Sequence, residues 1–191
     1  MAITIQHVEE LLNEIGIQNF NTEENYIRFS MGPCDRYVRP DGQDSLFLVI
    51  DLTENGEYFR IFSPRAYQIQ GPHIDAFLKA TAIIQWKTKL IQFEYDPSDG
   101  EVRPIIEWPI EDGTLTATQL RRCVSGLLGL LDDFHPVLQR AIDDGVVEFP
   151  DDRKAMIERL EILLDKLKTQ QAADESSSSD DSGEGGPPSV L

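Results

Sequence analysis

Apolar positions at helical spacing open the chain: Ile5, Val8, Leu11, Leu12 and Ile15 share one face, behind Thr4 as an N-cap and ahead of Gly16 as a stop. Tyr26-Ile27-Arg28-Phe29-Ser30 then alternates as a short strand. Met31 to Asp44 carries two Pro and two Gly and reads as a long loop. Two apolar runs follow, Ser45–Leu52 and Tyr58–Phe62, separated by a segment containing Asn55-Gly56. That dipeptide tolerates positive φ at successive positions, so the pair predicts a β-hairpin. In Ser45–Leu52 both alternating faces are largely apolar, which predicts a strand covered on two sides.

Pro72 opens a second helix to about Lys87, with Ile74, Phe77, Leu78, Thr81 and Ile84 on one side. A second hairpin joins Leu90–Tyr95 to Val102–Trp108 through Asp96-Pro-Ser-Asp-Gly100. Pro104 cannot donate to a ladder, so its strand should be an edge or carry a bulge. Thr116 with Gln119 forms a capping-box pattern ahead of Leu120, Cys123, Val124, Leu127, Leu131 and Phe134, the longest apolar face in the chain. Pro136 should kink or interrupt this helix, with a shorter continuation to Gly145. The predicted class is α+β: an antiparallel sheet of about five strands flanked by helices in the order α-β-β-β-α-β-β-α, plus a C-terminal helix. The domain organisation follows as 1–150 for the α+β domain, 151–169 for an amphipathic helix, and 170–191 for an acidic Ser-rich tail too poor in large apolar residues to fold.

Charge narrows the function classes. The 191 residues carry 17 Lys and Arg against 34 Asp and Glu, a net charge of -17. Residues 1–150 hold 24 acids and 12 bases, 151–169 hold five of each, and 170–191 hold five acids and no base. Nucleic acid and anionic membrane are poor partners for such a surface, and no basic stripe offsets the repulsion. No apolar stretch approaches the roughly 20 residues of a membrane span, and the N-terminus lacks the pattern of a signal peptide. Cys34 and Cys123 show neither metal-site spacing nor a disulfide framework, which fits a reducing cytoplasm.

Few residues point to chemistry. His7, His73 and His135 are scattered and read as surface or cap histidines, and no phosphate-cradling or nucleophile-elbow motif is present, so neither catalytic residues nor a cofactor are expected. Adjacent acids at Asp132-Asp133, Asp143-Asp144 and Asp151-Asp152 diverge by about 100° on a helix and read as solvated positions and caps. Gly126 and Gly129 lie inside the long apolar helix, where glycine costs up to about 1 kcal/mol against Ala. They mark a close approach of another backbone, either within the chain or from a second subunit. Met156, Leu160, Leu163 and Leu167 repeat at 4-3-4 spacing on the charge-balanced last helix, a stripe suited to docking on the domain or capturing a partner.

The pattern of Leu46-Phe-Leu-Val-Ile-Asp-Leu52 with Gly56-Glu-Tyr-Phe-Arg-Ile61, Phe93-Glu-Tyr-Asp-Pro-Ser-Asp-Gly-Glu-Val102, and Pro109-Ile-Glu-Asp-Gly-Thr-Leu-Thr116 leading to His135-Pro-Val-Leu138 resembles the YbjN family. Members of that family share the fold of type III secretion chaperones. The resemblance spans about residues 3 to 145 and implies a non-enzymatic homodimer that binds other polypeptides or acts as a regulator. Secretion chaperones are small acidic dimers that hold an extended partner segment against apolar surface, in keeping with the charge found here. The helix at 151–169 and the acidic tail are departures from that pattern. A small-ligand site or an enzyme beside the 31–44 loop, using Arg36 or Arg39, is the alternative expectation.

Overall fold

A computed structural model describes residues 2–150, 157, 160–165 and 167–169. The chain divides into two units, Met1–Glu148 and Phe149–Leu191. The first unit runs α1 (Ile5–Glu14), β1 (Phe20–Thr22), β2 (Tyr26–Met31), β3 (Leu46–Thr53), β4 (Tyr58–Phe62), β5 (Tyr67–Gln68), α2 (Ile74–Lys87), β6 (Gln92–Tyr95), β7 (Glu101–Pro109) and α3 (Ala117–Asp144). The α+β class and the element order are as expected, with two additional short strands, β1 and β5. Neither is long enough to show an alternating pattern of its own.

All pairings are antiparallel. β1, β2, β3, β4 and β7 lie side by side. Ile105 faces Phe62 on one flank and Gln92 on the other, and Val102 faces Tyr67 and Tyr95. β4 and β5 therefore run along the same flank of β7, interrupted at 63–66, while β6 forms the opposite edge. Pro104 sits opposite that interruption, and its carbonyl accepts from the Ser63 N–H at 3.1 Å. The expected edge or bulge is thus a break in the neighbouring strand, placed where the proline has no N–H to offer.

Side chains at one parity of the strands are buried: Ile27 and Phe29, Leu46, Leu48 and Ile50, Phe59 and Ile61, Val102 and Ile106. The helices pack on this face, α1 and α3 against the sheet and each other, and α2 against α3 and β6. Local signals hold the elements in place. The Thr4 side chain accepts the His7 N–H at 3.2 Å, and Thr116 and Gln119 cap each other reciprocally. At the β3–β4 turn Gly56 adopts φ 90°, and a Cβ there would stand 2.1 Å from the Ile3 carbonyl oxygen, so only glycine lets the N-terminal arm pass.

Two expectations about α3 are corrected. It is not interrupted at Pro136, which lies on the exposed side, where water can replace the lost amide donor while Leu131, Val137, Leu138 and Ala141 hold the inner face in the core. The core position in that turn belongs to His135, 9% exposed, with Phe134 only half-buried.

Candidate functional site

The long Met31–Asp44 loop is ordered by one carboxylate. Asp132 Oδ1 accepts the backbone N–H of Arg36 at 2.7 Å and of Tyr37 at 2.8 Å. Asp132 was expected as a solvated acid, but it is a half-buried anchor; sequence spacing carries no trace of a partner 95 residues away. The anchored loop drives Tyr37 into the core, where its hydroxyl donates to the Ala66 carbonyl at 2.9 Å and its ring meets Tyr67 and His135 edge-on.

Tyr67 and His135 stack, with the Tyr67 hydroxyl 3.1 Å from His135 Nδ1. Burial pushes the Tyr67 hydroxyl well above its ordinary range, so it stays protonated and donates, which places the imidazole proton on Nε2. Burial also holds His135 below its usual value, opposed by the carboxylates of Asp132 and Asp143. His135 is therefore a core histidine, unlike the surface or cap role expected of it. His73 does act at a cap: its Nδ1 bonds the Ile142 carbonyl near the end of α3 at 2.9 Å.

Above this cluster, Val38, Arg39, Pro40, Tyr67, Gln68, His135, Gln139 and Ile142 line a cleft of about 390 Å³. Arg39 pairs with Asp41 at 2.6 Å. The Gln139 amide donates to both oxygens of Asp143 at 3.0 Å. Arg36, the other arginine considered from sequence, does not line the cleft. Both thiols are held protonated by their environment: burial foremost pushes Cys34 up to about 11, reinforced by Asp132 and Asp44, and burial pushes Cys123 to about 11. Among the described residues no group of three or more His, Cys, Asp and Glu side chains is arranged to hold a metal ion.

The sequence-derived partner stripe lies outside this unit. Met156 falls outside the described residues. Leu160, Leu163 and Leu167 are helical and 52%, 55% and 61% exposed, with Ile157 and Leu164 exposed beside them. Gly126 and Gly129 are not crowded by the other described residues: a Cβ at either meets nothing within 4 Å among them, so their close packing does not account for glycine there. Sequence reasoning missed Trp86, which is 90% exposed at the end of α2. The signal was its position two residues past Ile84, about 200° around the helix from the buried stripe.

No family model and no curated protein matches the sequence. Among solved structures, the chain is similar to YbjN of E. coli, a candidate transcription regulator, at 9% identity over 73% of this chain and 93% of that one, with a TM-score of 0.50. It is also similar to chains in the HopA1–SchA chaperone–effector complex (12% identity, 69% of this chain and 89% of that one, TM-score 0.45) and the ExsC–ExsE complex (17%, 72% and 97%, 0.45). No helix among the described residues is long and apolar enough to cross a membrane. The first likeness, taken with the antiparallel sheet and its flanking helices, establishes the fold as YbjN-like, the fold that the sequence resemblance implied.

Proposed function

We propose that the chain is a non-enzymatic protein-binding module, chaperone-like or regulatory, that works as a homodimer in the cytoplasm. The exposed stripe of Leu160, Leu163 and Leu167, with Ile157 and Leu164 beside it, carries this reading. Each such side chain yields about 1.5–3 kcal/mol when fully buried, so covering the stripe is a large driving force for association. The segment from 151 to 169 has no net charge, whereas the regions before and after it are acidic, so it is the part of the chain a partner approaches with least repulsion. Affinity capture followed by mass spectrometry, on the full chain and on Leu163→Asp, tests the reading. Proteins retained by the wild type and lost from the variant are expected. An identical set from both would overturn the role of the stripe.

The cleft beside the 31–44 loop supports a second reading, a small-ligand site. His135 lines it with Nδ1 held by Tyr67 and no partner for Nε2 among the described residues, and Arg39 adds a cation at the rim. Fragment titration followed by His135 ring resonances would detect it; unchanged resonances across a diverse fragment set would remove it.

A further inference from the structure

The helices cover one face of the sheet and leave the other open, and the open face is not that of a strand set built for water. At the outward parity stand Tyr26, Arg28 and Ser30 on β2, Phe47, Val49, Asp51 and Thr53 on β3, Tyr58, Arg60 and Phe62 on β4, and Glu101, Arg103, Ile105 and Glu107 on β7. Glu94 and Gln92 of β6 complete the face. Phe47 and Val49 are neighbours along β3 and Val49 faces Phe62, so three half-buried apolar side chains form a continuous row across two strands, ending at Ile105 of β7, which is already buried. This is why Ser45–Leu52 reads as apolar on both faces: the chain buries the Leu46, Leu48 and Ile50 side and leaves Phe47 and Val49 only half-covered. Arginines line the row, with the Arg60 and Arg103 guanidinium carbons 5.9 and 5.2 Å from the Phe62 ring centre and that of Arg39 6.0 Å from Phe47.

We propose that this open sheet face is the surface through which two copies of the chain pair. The proposal rests on the homodimer of the proposed function and identifies its interface. Charge selects a second copy as the occupant. Residues 1–150 carry twice as many acids as bases, so most pairings of two identical copies bring like charges together. The outward positions hold Arg28, Arg60 and Arg103 against Asp51, Glu94, Glu101 and Glu107, three to four and so nearer to balance than the domain as a whole. Arg60 chelates Asp51 and Arg103 pairs with Glu94 within the face, and both guanidinium groups lie over the Phe62 ring. A two-fold axis sets such a face against itself, apolar row on apolar row, with basic and acidic flanks available to meet their opposites.

The size of the face sets the affinity. Five strands about 4.8 Å apart and four to nine residues long present on the order of 500 Å² from each copy, or about 1,000 Å² in all. That is the lower limit for a specific interface, so the pairing should be reversible with a micromolar Kd.

Sedimentation velocity of the full chain across concentrations near that range should show a monomer–dimer equilibrium. Hydroxyl-radical footprinting of the same protein should find Phe47, Tyr58 and Phe62 less oxidised at high than at low concentration, with Trp86 unchanged. Val49→Lys and Arg103→Glu should each shift the equilibrium to monomer by tenfold or more, with near-UV circular dichroism unchanged. Footprinting of unmodified chain keeps the proposal testable if a variant fails to fold. A chain that stays monomeric at every concentration would overturn the interface and the homodimer together. A dimer that leaves Phe47 and Phe62 unprotected would overturn the interface alone. Neither result bears on the leucine stripe, which the capture experiment reads separately.

Discussion

Asp132 holds fourteen residues of otherwise irregular chain against α3, and removing it tests how that loop is kept in place. Its Oδ1 receives two amide hydrogens, from Arg36 at 2.7 Å and Tyr37 at 2.8 Å. A hydrogen bond to a charged acceptor contributes about 1.5–3 kcal/mol net. Two such bonds would give about 3–6 kcal/mol if fully enclosed, but both are only partly buried, and water can recover about a third to a half of that. Asp132→Ala should therefore destabilise by about 2–4 kcal/mol. Asp132→Asn retains an acceptor oxygen and loses only the charge, for about 1–2 kcal/mol. Urea unfolding at pH 7 measures both, and the alanine variant should melt lower by roughly 4–16 °C for a domain of this size. Cys34 gives a local readout: burial and then Asp132 hold its thiol up near 11, so either substitution should speed its reaction with a disulfide reagent at pH 8. Cys123, whose thiol is raised by burial alone, should not change. If Asp132→Ala stays within about 0.5 kcal/mol of wild type and Cys34 reacts no faster, the loop is anchored by something else.

Other outcomes follow from the same geometry. Because burial holds His135 below its ordinary value, the unfolded chain takes up that proton first; its contribution is complete above about pH 6.5 and is lost as pH falls below 6.5 toward the folded value. His135→Gln should flatten that part of a stability–pH curve, and an unchanged slope would refute the assignment. Gly56→Ala should destabilise by more than about 2 kcal/mol in chemical unfolding, since φ 90° and the Ile3 carbonyl both exclude a side chain. Gly126→Ala and Gly129→Ala should each stabilise by about 0.5–1 kcal/mol in thermal melts, because a methyl group at either position meets open space. With the sheet face as the interface, both should leave the sedimentation equilibrium unchanged; weakened pairing would place the contact on α3.

The elements that sequence determined by itself are those whose cause is local. Thr4, Thr116 with Gln119, Asn55-Gly56, the Asp96–Gly100 turn and Gly145 each satisfy or redirect backbone within a few residues, and the helices and hairpins stand where those signals predict. The period-two pattern also identified β3 as apolar on both sides. Tertiary structure alone decided features that join distant positions. Asp132 could be recognised as an anchor only once α3 lay beside the 31–44 loop, and His135 as a core residue only once Tyr37 and Tyr67 enclosed it. α3 passes through Pro136 because packing on its inner face outweighs one missing hydrogen bond, a balance that local propensity does not contain. Likewise, sequence showed that β3 has two apolar faces, but only the placement of all three helices on one side revealed which face is left half-covered. Turns and caps depend on a few neighbouring dihedral angles, whereas burial depends on which distant surfaces meet.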